Sequence, residues 1–229
     1  MKQLVENIWV HEDEIALLGV PLALRMTIVK LAGGKLWVHS PTKISDNLVE
    51  EIARMGEVGY IVSASNGHNL FLKEWISAFP DAEVVLSGGI PKKLGMEDGF
   101  TILGPGFENI WSEDLDWVYM PGAGFFDESV FLHRKSKSLI VTDFIQNYQI
   151  AEPTFVQKYI FGPIGFKEIC LAPPLKWGIF YQDRAAFRES AARIKQWEFD
   201  RIIVTHGDII EQTPMEWFDR LYRRFIAKK

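Results

Sequence analysis

The apolar residues of this chain fall in runs of about four or five, the length of buried strands, and the segments between the runs carry helical spacing. Residues 59–62 and 83–86 are two such runs, and between them Phe71, Trp75, Ile76 and Phe79 fall at helical spacing before Pro80 closes the stretch. A strand, a helix and a second strand in this order make a unit whose strands lie parallel, because the crossover helix returns the chain to the same end of the sheet. The expected class is therefore α/β.

The same reading extends along the chain. Strands are expected over 4–10, 25–31 and 35–38, with Gly33 and Gly34 as a hairpin turn. A helix is expected over 46–55, with Leu48, Ile52 and Met55 on one face and Gly56 as its stop. Further strands are expected over 117–120, 129–133 and 138–141, the last two joined by a polar tip at 134–137. Helices follow over 153–161 and 184–197, then a strand over 201–204. Thr213-Pro214-Met215-Glu216 spells a helix start: an N-cap hydroxyl, proline in the first turn, and glutamate three residues after the cap. Trp217, Leu221 and Phe225 would then pack inward. No linker, low-complexity tract or internal repeat divides the sequence, so residues 1–229 read as a single domain.

Composition acts by exclusion. The net charge is −5 and the basic residues are scattered, which argues against nucleic acid as a partner. No apolar run approaches the roughly 18 residues that span a bilayer, and residues 1–6 lack the apolar stretch of a signal peptide. The expectation is a cytoplasmic protein with no membrane partner, whose ligand is an unknown small molecule. The single cysteine, Cys170, excludes an intrachain disulfide and any thiolate cluster. Its apolar neighbours Ile169 and Leu171 mark it as a buried small residue. Any metal must then be held by imidazole and carboxylate.

The chemistry-bearing residues sit where strands end. The run 35–38 is followed by His39, 60–62 by His68, 139–142 by Asp143, and 201–205 by His206. In α/β sheets, sites form beyond the carboxyl ends of strands, where loops converge over a rigid base. His68, Asp143 and His206 could supply the three protein ligands of a catalytic metal whose water becomes the nucleophile. The competing reading of each is a hydrogen bond that caps a strand end. His11 and His133 read as packing or surface residues. Ser87-Gly88-Gly89 reads as a turn rather than an anion site, Asp127-Glu128 as a solvated loop or a carboxylate pair facing the site, and the aromatic segment 173–181 as a packing loop or a pocket cover.

At these residues the chain resembles the metallo-β-lactamase superfamily, and more closely a bacterial family of unknown function within it. The stretches that carry the resemblance are 25–29, 36–41, 68–75, 131–143, 197–200 and 206–208, so that nearly the whole chain is covered. The resemblance implies a four-layer αββα sandwich with a metal site at one edge of its two sheets. It also implies a degenerate site. The superfamily's His-x-His-x-Asp-His falls on Ser63, Ser65, Gly67 and His68, and the histidine of its Pro-Gly-His turn falls on Ala123. The later aspartate and histidine are matched by Asp143 and His206, while His39 stands where an early strand usually ends in aspartate.

These departures imply that the first of two metal positions is absent and that one divalent metal (zinc, iron or manganese), or none, occupies the second, on His68, Asp143 and His206. His39 is expected beside that edge as an extra ligand, a supporting group or a proton shuttle, and Asp208 as the group that orients His206. Three functions stay open: a mononuclear metal-dependent hydrolase, a metal-free scaffold that binds a small molecule or a protein, and a metal-free acid–base catalyst using His39 and His206.

Overall fold

The computed structural model describes residues 1–17, 20–124, 126–148, 159, 168–172, 175 and 182–227. Seven strands form the first sheet: β1 (Lys2–Val5), β2 (Ile8–Leu17), β3 (Val20–Lys30), β4 (Leu36–His39), β5 (Val58–Ser63), β6 (Glu83–Ser87) and β7 (Thr101–Leu103), paired in that order. The first four strands pair antiparallel, and β4 through β7 pair parallel. The parallel part is the one expected from strand, helix, strand. Its crossovers carry the helices α1 (Asp46–Met55), α2 (Leu72–Ala78) and α3 (Ile90–Leu94).

A second sheet holds β8 (Leu115–Met120), β9 (Glu128–His133), β10 (Ser138–Ile140) and β13 (Arg201–Ile203), in the order β13-β10-β9-β8 with β10 and β13 parallel. Strands β11 (Ile145–Asn147) and β12 (Ile169–Leu171) form a separate antiparallel pair. Helices α4 (Arg184–Ile194) and α5 (Pro214–Leu221) complete the described elements, and a π-helical turn, Tyr222–Ile226, follows α5.

Side-chain alternation along the strands sorts the core into layers. Met26, Ile28, Leu36, Val38, Ile61, Val84 and Leu86 pack against Leu48 and Ile52 of α1 and Leu72 and Trp75 of α2. Their opposite-parity neighbours Val29, Trp37, Val62 and Val85 meet Phe131, Ile140 and Ile203 of the second sheet. On the far face of that sheet Val130, Leu132, Leu139 and Ile202 pack against Phe187, Ala191 and Ile194 of α4 and Phe218 and Leu221 of α5. Helices, sheet, sheet, helices is the expected αββα order. Among the described residues no helix is long and apolar enough to cross a membrane.

Local differences from expectation have local causes. The strand expected over 4–10 is two strands, broken at Asn7, which takes a left-handed φ of 64°. Ser45 caps α1 by accepting the Leu48 amide. At α5 the expected hydroxyl cap is not made: Thr213 adopts a left-handed conformation and its side chain makes no cap bond, although Pro214 opens the helix as expected. Leu221 is buried, and Trp217 and Phe225 pack partly buried against the same core as expected; Phe218 is the fully buried aromatic there, and Arg220 covers the Trp217 ring. Strands β7, β11 and β12 and helix α3 were not expected; each is three to five residues long, too short to show a period. The expected helix over 153–161, apart from Tyr159, and the aromatic residues Trp177, Phe180 and Tyr181 lie outside the described residues.

Candidate metal centre

Parallel pairing decides where the functional residues go. Strands β4, β5 and β6 end on one edge of the first sheet, and β10 and β13 end together on the second. The two edges are tied directly, by the Ser129 amide to the Ala64 carbonyl and by His39 to Thr142. The loops after β5, β10 and β13 therefore converge, and they bring His68, Asp143 and His206 into one cluster.

The three donors form a nearly equilateral triangle. His68 Nε2 and His206 Nε2 are 3.2 Å apart, and each lies 3.4 Å from Asp143 Oδ1. The side chains are 6 to 9% exposed. His206 Nδ1 lies 2.8 Å from the Ala23 carbonyl oxygen. A carbonyl only accepts, so Nδ1 carries a proton, and Nε2 is the ring nitrogen that faces the other two donors.

Asp143 is held at both oxygens. Ser65 Oγ donates to Oδ2 at 2.6 Å, and Gln146 Nε2 reaches Oδ1 at 3.4 Å while its own Oε1 accepts from the Tyr148 hydroxyl. Burial on its own would push the Asp143 carboxyl up, but His68 and His206 together outweigh it and hold the group well below the usual carboxylate range. Gly67 is pressed against this carboxylate: a Cβ there would stand 2.9 Å from Oδ2.

Glu128 departs from the solvated-loop expectation. It is 2% exposed and accepts the amides of Thr142 and Asp143, fixing the turn that presents the aspartate. Burial, and then the neighbouring Asp143 carboxylate, push its carboxyl well above the ordinary range. Its neighbour Asp127 accepts from Tyr119 and Ser87. Ser87 and the Gly89 amide both bond the Asn66 side chain, so the segment 87–89 is the tied-down turn expected.

His39 is fully buried, stacked on Trp37, with Nε2 3.1 Å from Thr142 Oγ1. Burial, with a smaller contribution from His68, lowers its pKa to about 3, so the ring is neutral. It supports the residue before Asp143 and is not one of the clustered donors. Asp208 does not take the orienting role expected of it: the Ala23 carbonyl already accepts from His206 Nδ1, and Asp208 lies exposed on an open cleft with Glu12, Asp13 and Glu14. His133 is buried on Ser136, a packing residue as expected. The supports Ala23 and Gln146 were missed, and Glu128 follows the alternative reading, a carboxylate facing the site, rather than the solvated loop. For Glu128 a signal existed, since a carboxylate opening the apolar strand 128–133 has to find donors inside.

Two sheets back to back between helices, with a His–Asp–His cluster at one edge, define a metallo-β-lactamase-fold protein, and solved structures bear this out. The chain is similar to the DIM-1 metallo-β-lactamase at 16% identity and a TM-score of 0.66, over 97% of this chain and 95% of that one. A metallo-β-lactamase from Pontibacter korlensis aligns at 14% identity and a TM-score of 0.63, over 97% of both chains. The flavodiiron protein from Giardia intestinalis aligns at 15% identity and a TM-score of 0.66, over 98% of this chain but 58% of that one. Among curated proteins none matches the sequence. The chain belongs to the family described as Domain of unknown function (DUF4336), whose model matches residues 5–163.

Proposed function

We propose that the chain is a mononuclear metal-dependent hydrolase of one domain, with a single divalent ion on His68, Asp143 and His206. The donor triangle carries this reading. Donors about 2.1 Å from a tetrahedral centre stand roughly 3.4 Å apart. The separations here are 3.2, 3.4 and 3.4 Å, and the Ala23 bond to Nδ1 leaves Nε2 of His206 as the nitrogen directed into the triangle. Three protein ligands leave a position for water, the pattern of a catalytic rather than a structural site.

When bound, the ion supplies Lewis acidity and a water acidified toward neutral pH. The chain's own residues supply position. The Ala23 carbonyl orients the His206 ring, Ser65 and Gln146 hold the two oxygens of Asp143, and Glu128 holds its main chain. Residues matching the first metal position of the superfamily are otherwise engaged. Ser63 Oγ donates to the His68 carbonyl, Ser65 Oγ to Asp143, and Ala123 is buried and offers no donor atom. We therefore read that position as lost, its former ligands turned into supports for the second.

Metal analysis of tag-free protein purified without chelator tests the reading. One transition metal ion per chain is expected, absent from His68→Ala and Asp143→Ala. Metal-free protein that shows no thermal shift with zinc, manganese or iron would favour the metal-free scaffold and overturn it.

A further inference from the structure

The loop that carries His206 is gripped from two sides. On one side Asn147 of β11 donates its amide to the His206 carbonyl and its side-chain Nδ2 to the Asp208 carbonyl. Gly207, at φ +89°, lies so close to this strand that a Cβ would stand 1.6 Å from the Asn147 carbonyl oxygen. On the other side is Arg25 of β3. Its Nη1 donates to the Val204 carbonyl at 2.7 Å and the Gly207 carbonyl at 2.5 Å, and its Nη2 meets Glu12 at 2.8 Å.

Arg25 is 5% exposed and reaches from the first sheet to the loop that follows β13 of the second. Its hydrogen-bonded carbonyls flank Thr205 and His206, in a loop some 180 residues away in sequence. Ala23, two residues earlier on the same strand, provides the main-chain carbonyl that accepts from His206 Nδ1. One strand of the first sheet thus holds both the main chain around this histidine and its ring. A buried guanidinium costs desolvation that packing alone would not require, and its rigid planar fork holds two carbonyls on Nη1 and a carboxylate on Nη2 in one fixed geometry, which the single rotating ammonium of a lysine does not reproduce.

We propose that Arg25 is a positioning residue for the metal centre: by holding the carbonyls of Val204 and Gly207 it keeps His206 on the Ala23 carbonyl, with Nε2 facing His68 and Asp143. This rests on the reading of that cluster as a metal site. The geometry separates Arg25 from an ordinary core residue, because its bonds end on the ligand loop and nowhere else in the second sheet among the described residues.

The test is Arg25→Lys, which keeps the charge and loses the fork. Two readouts are taken: zinc affinity by competition with a chromogenic chelator, and the ring proton of His206 in the metal-free protein by nitrogen-edited NMR. Loss of an outer partner of a ligating histidine weakens metal binding by about 10- to 100-fold, and that is the expected change. The Nδ1–H resonance of His206, expected in the wild type from its bond to the Ala23 carbonyl, should broaden or vanish. Glu12→Gln removes only an exposed partner and should leave zinc affinity within about fivefold of wild type.

If Arg25→Lys does not fold, the double variant Arg25→Met/Glu12→Gln, which leaves no unpaired charge, takes its place with the same expected losses. Wild-type zinc affinity in the folded variant, with only a lowered Tm, overturns the proposal and leaves Arg25 a core residue. A wild-type chain that takes up no metal overturns the reading of the preceding subsection. In that event an unchanged His206 ring proton in Arg25→Lys overturns the clamp as well, and its loss supports it.

Discussion

His39→Gln should flatten the acid dependence of stability. The ring is fully buried, and burial lowers its pKa from 6.5 to about 3. The unfolded chain takes up a proton near pH 6.5, whereas the folded chain takes it only near pH 3. The stability that the neutral ring contributes is therefore complete above pH 6.5 and is lost as the pH falls from there toward 3. Linkage over that window amounts to about 1.4 kcal/mol per pH unit, which makes the loss between pH 7 and pH 5 about 2 kcal/mol. Glutamine keeps a polar atom near the position of Nε2, where the imidazole meets Thr142, but does not titrate. It also loses the stacking on Trp37, so the variant is less stable at every pH, and the difference between the two pH dependences is the quantity read. The assay is urea unfolding of both proteins at pH 7 and pH 5, with chelator present so that metal binding adds no pH dependence of its own. A wild type that loses no more than the variant on acidification would refute the reasoning, because it would mean that the buried ring takes up its proton in the fold.

Three further outcomes are expected. Ser65→Ala removes the hydroxyl that donates to Asp143 Oδ2 at 2.6 Å, and zinc affinity measured by calorimetric titration should fall about 10- to 100-fold. Gly67→Ala places a methyl 2.9 Å from the same oxygen; chemical denaturation should show a loss of about 1–3 kcal/mol, with weakened zinc binding. Trp75→Phe removes the indole bond to the Thr42 carbonyl in the helical layer, so it should cost about 1–3 kcal/mol in urea while zinc affinity stays at the wild-type value.

What could be read from the residues alone was whatever repeats locally. The strand and helix pattern of 58–87 was legible because a period of two or of 3.6 is written into neighbouring residues. The boundaries of α1 and the polar tip at 134–137 could be placed for the same reason, since a cap or a turn is chosen by residues within a few positions. Thr213 shows the limit even there: the cap motif is present, but the left-handed backbone turns its hydroxyl away from the role. For Glu128 the residues left two readings open, a solvated loop or a carboxylate facing the site, because its partners, the amides of Thr142 and Asp143, belong to main chain and could not be named from residue types.

The candidate centre divides along the same line. That His39, His68, Asp143 and His206 follow apolar runs, and that one cysteine leaves only imidazole and carboxylate as ligands, follows from the sequence by itself. Tertiary structure alone decided which of them meet. Three converge because the parallel strands end on adjoining sheet edges, while His39 turns between the sheets onto Trp37 and Thr142. It also decided that Ala23 rather than Asp208 orients His206, and that Arg25 grips the loop around it, across separations of 179 to 183 residues. Local propensity acts within a turn or two of chain, whereas these contacts exist only once two sheets have packed face to face.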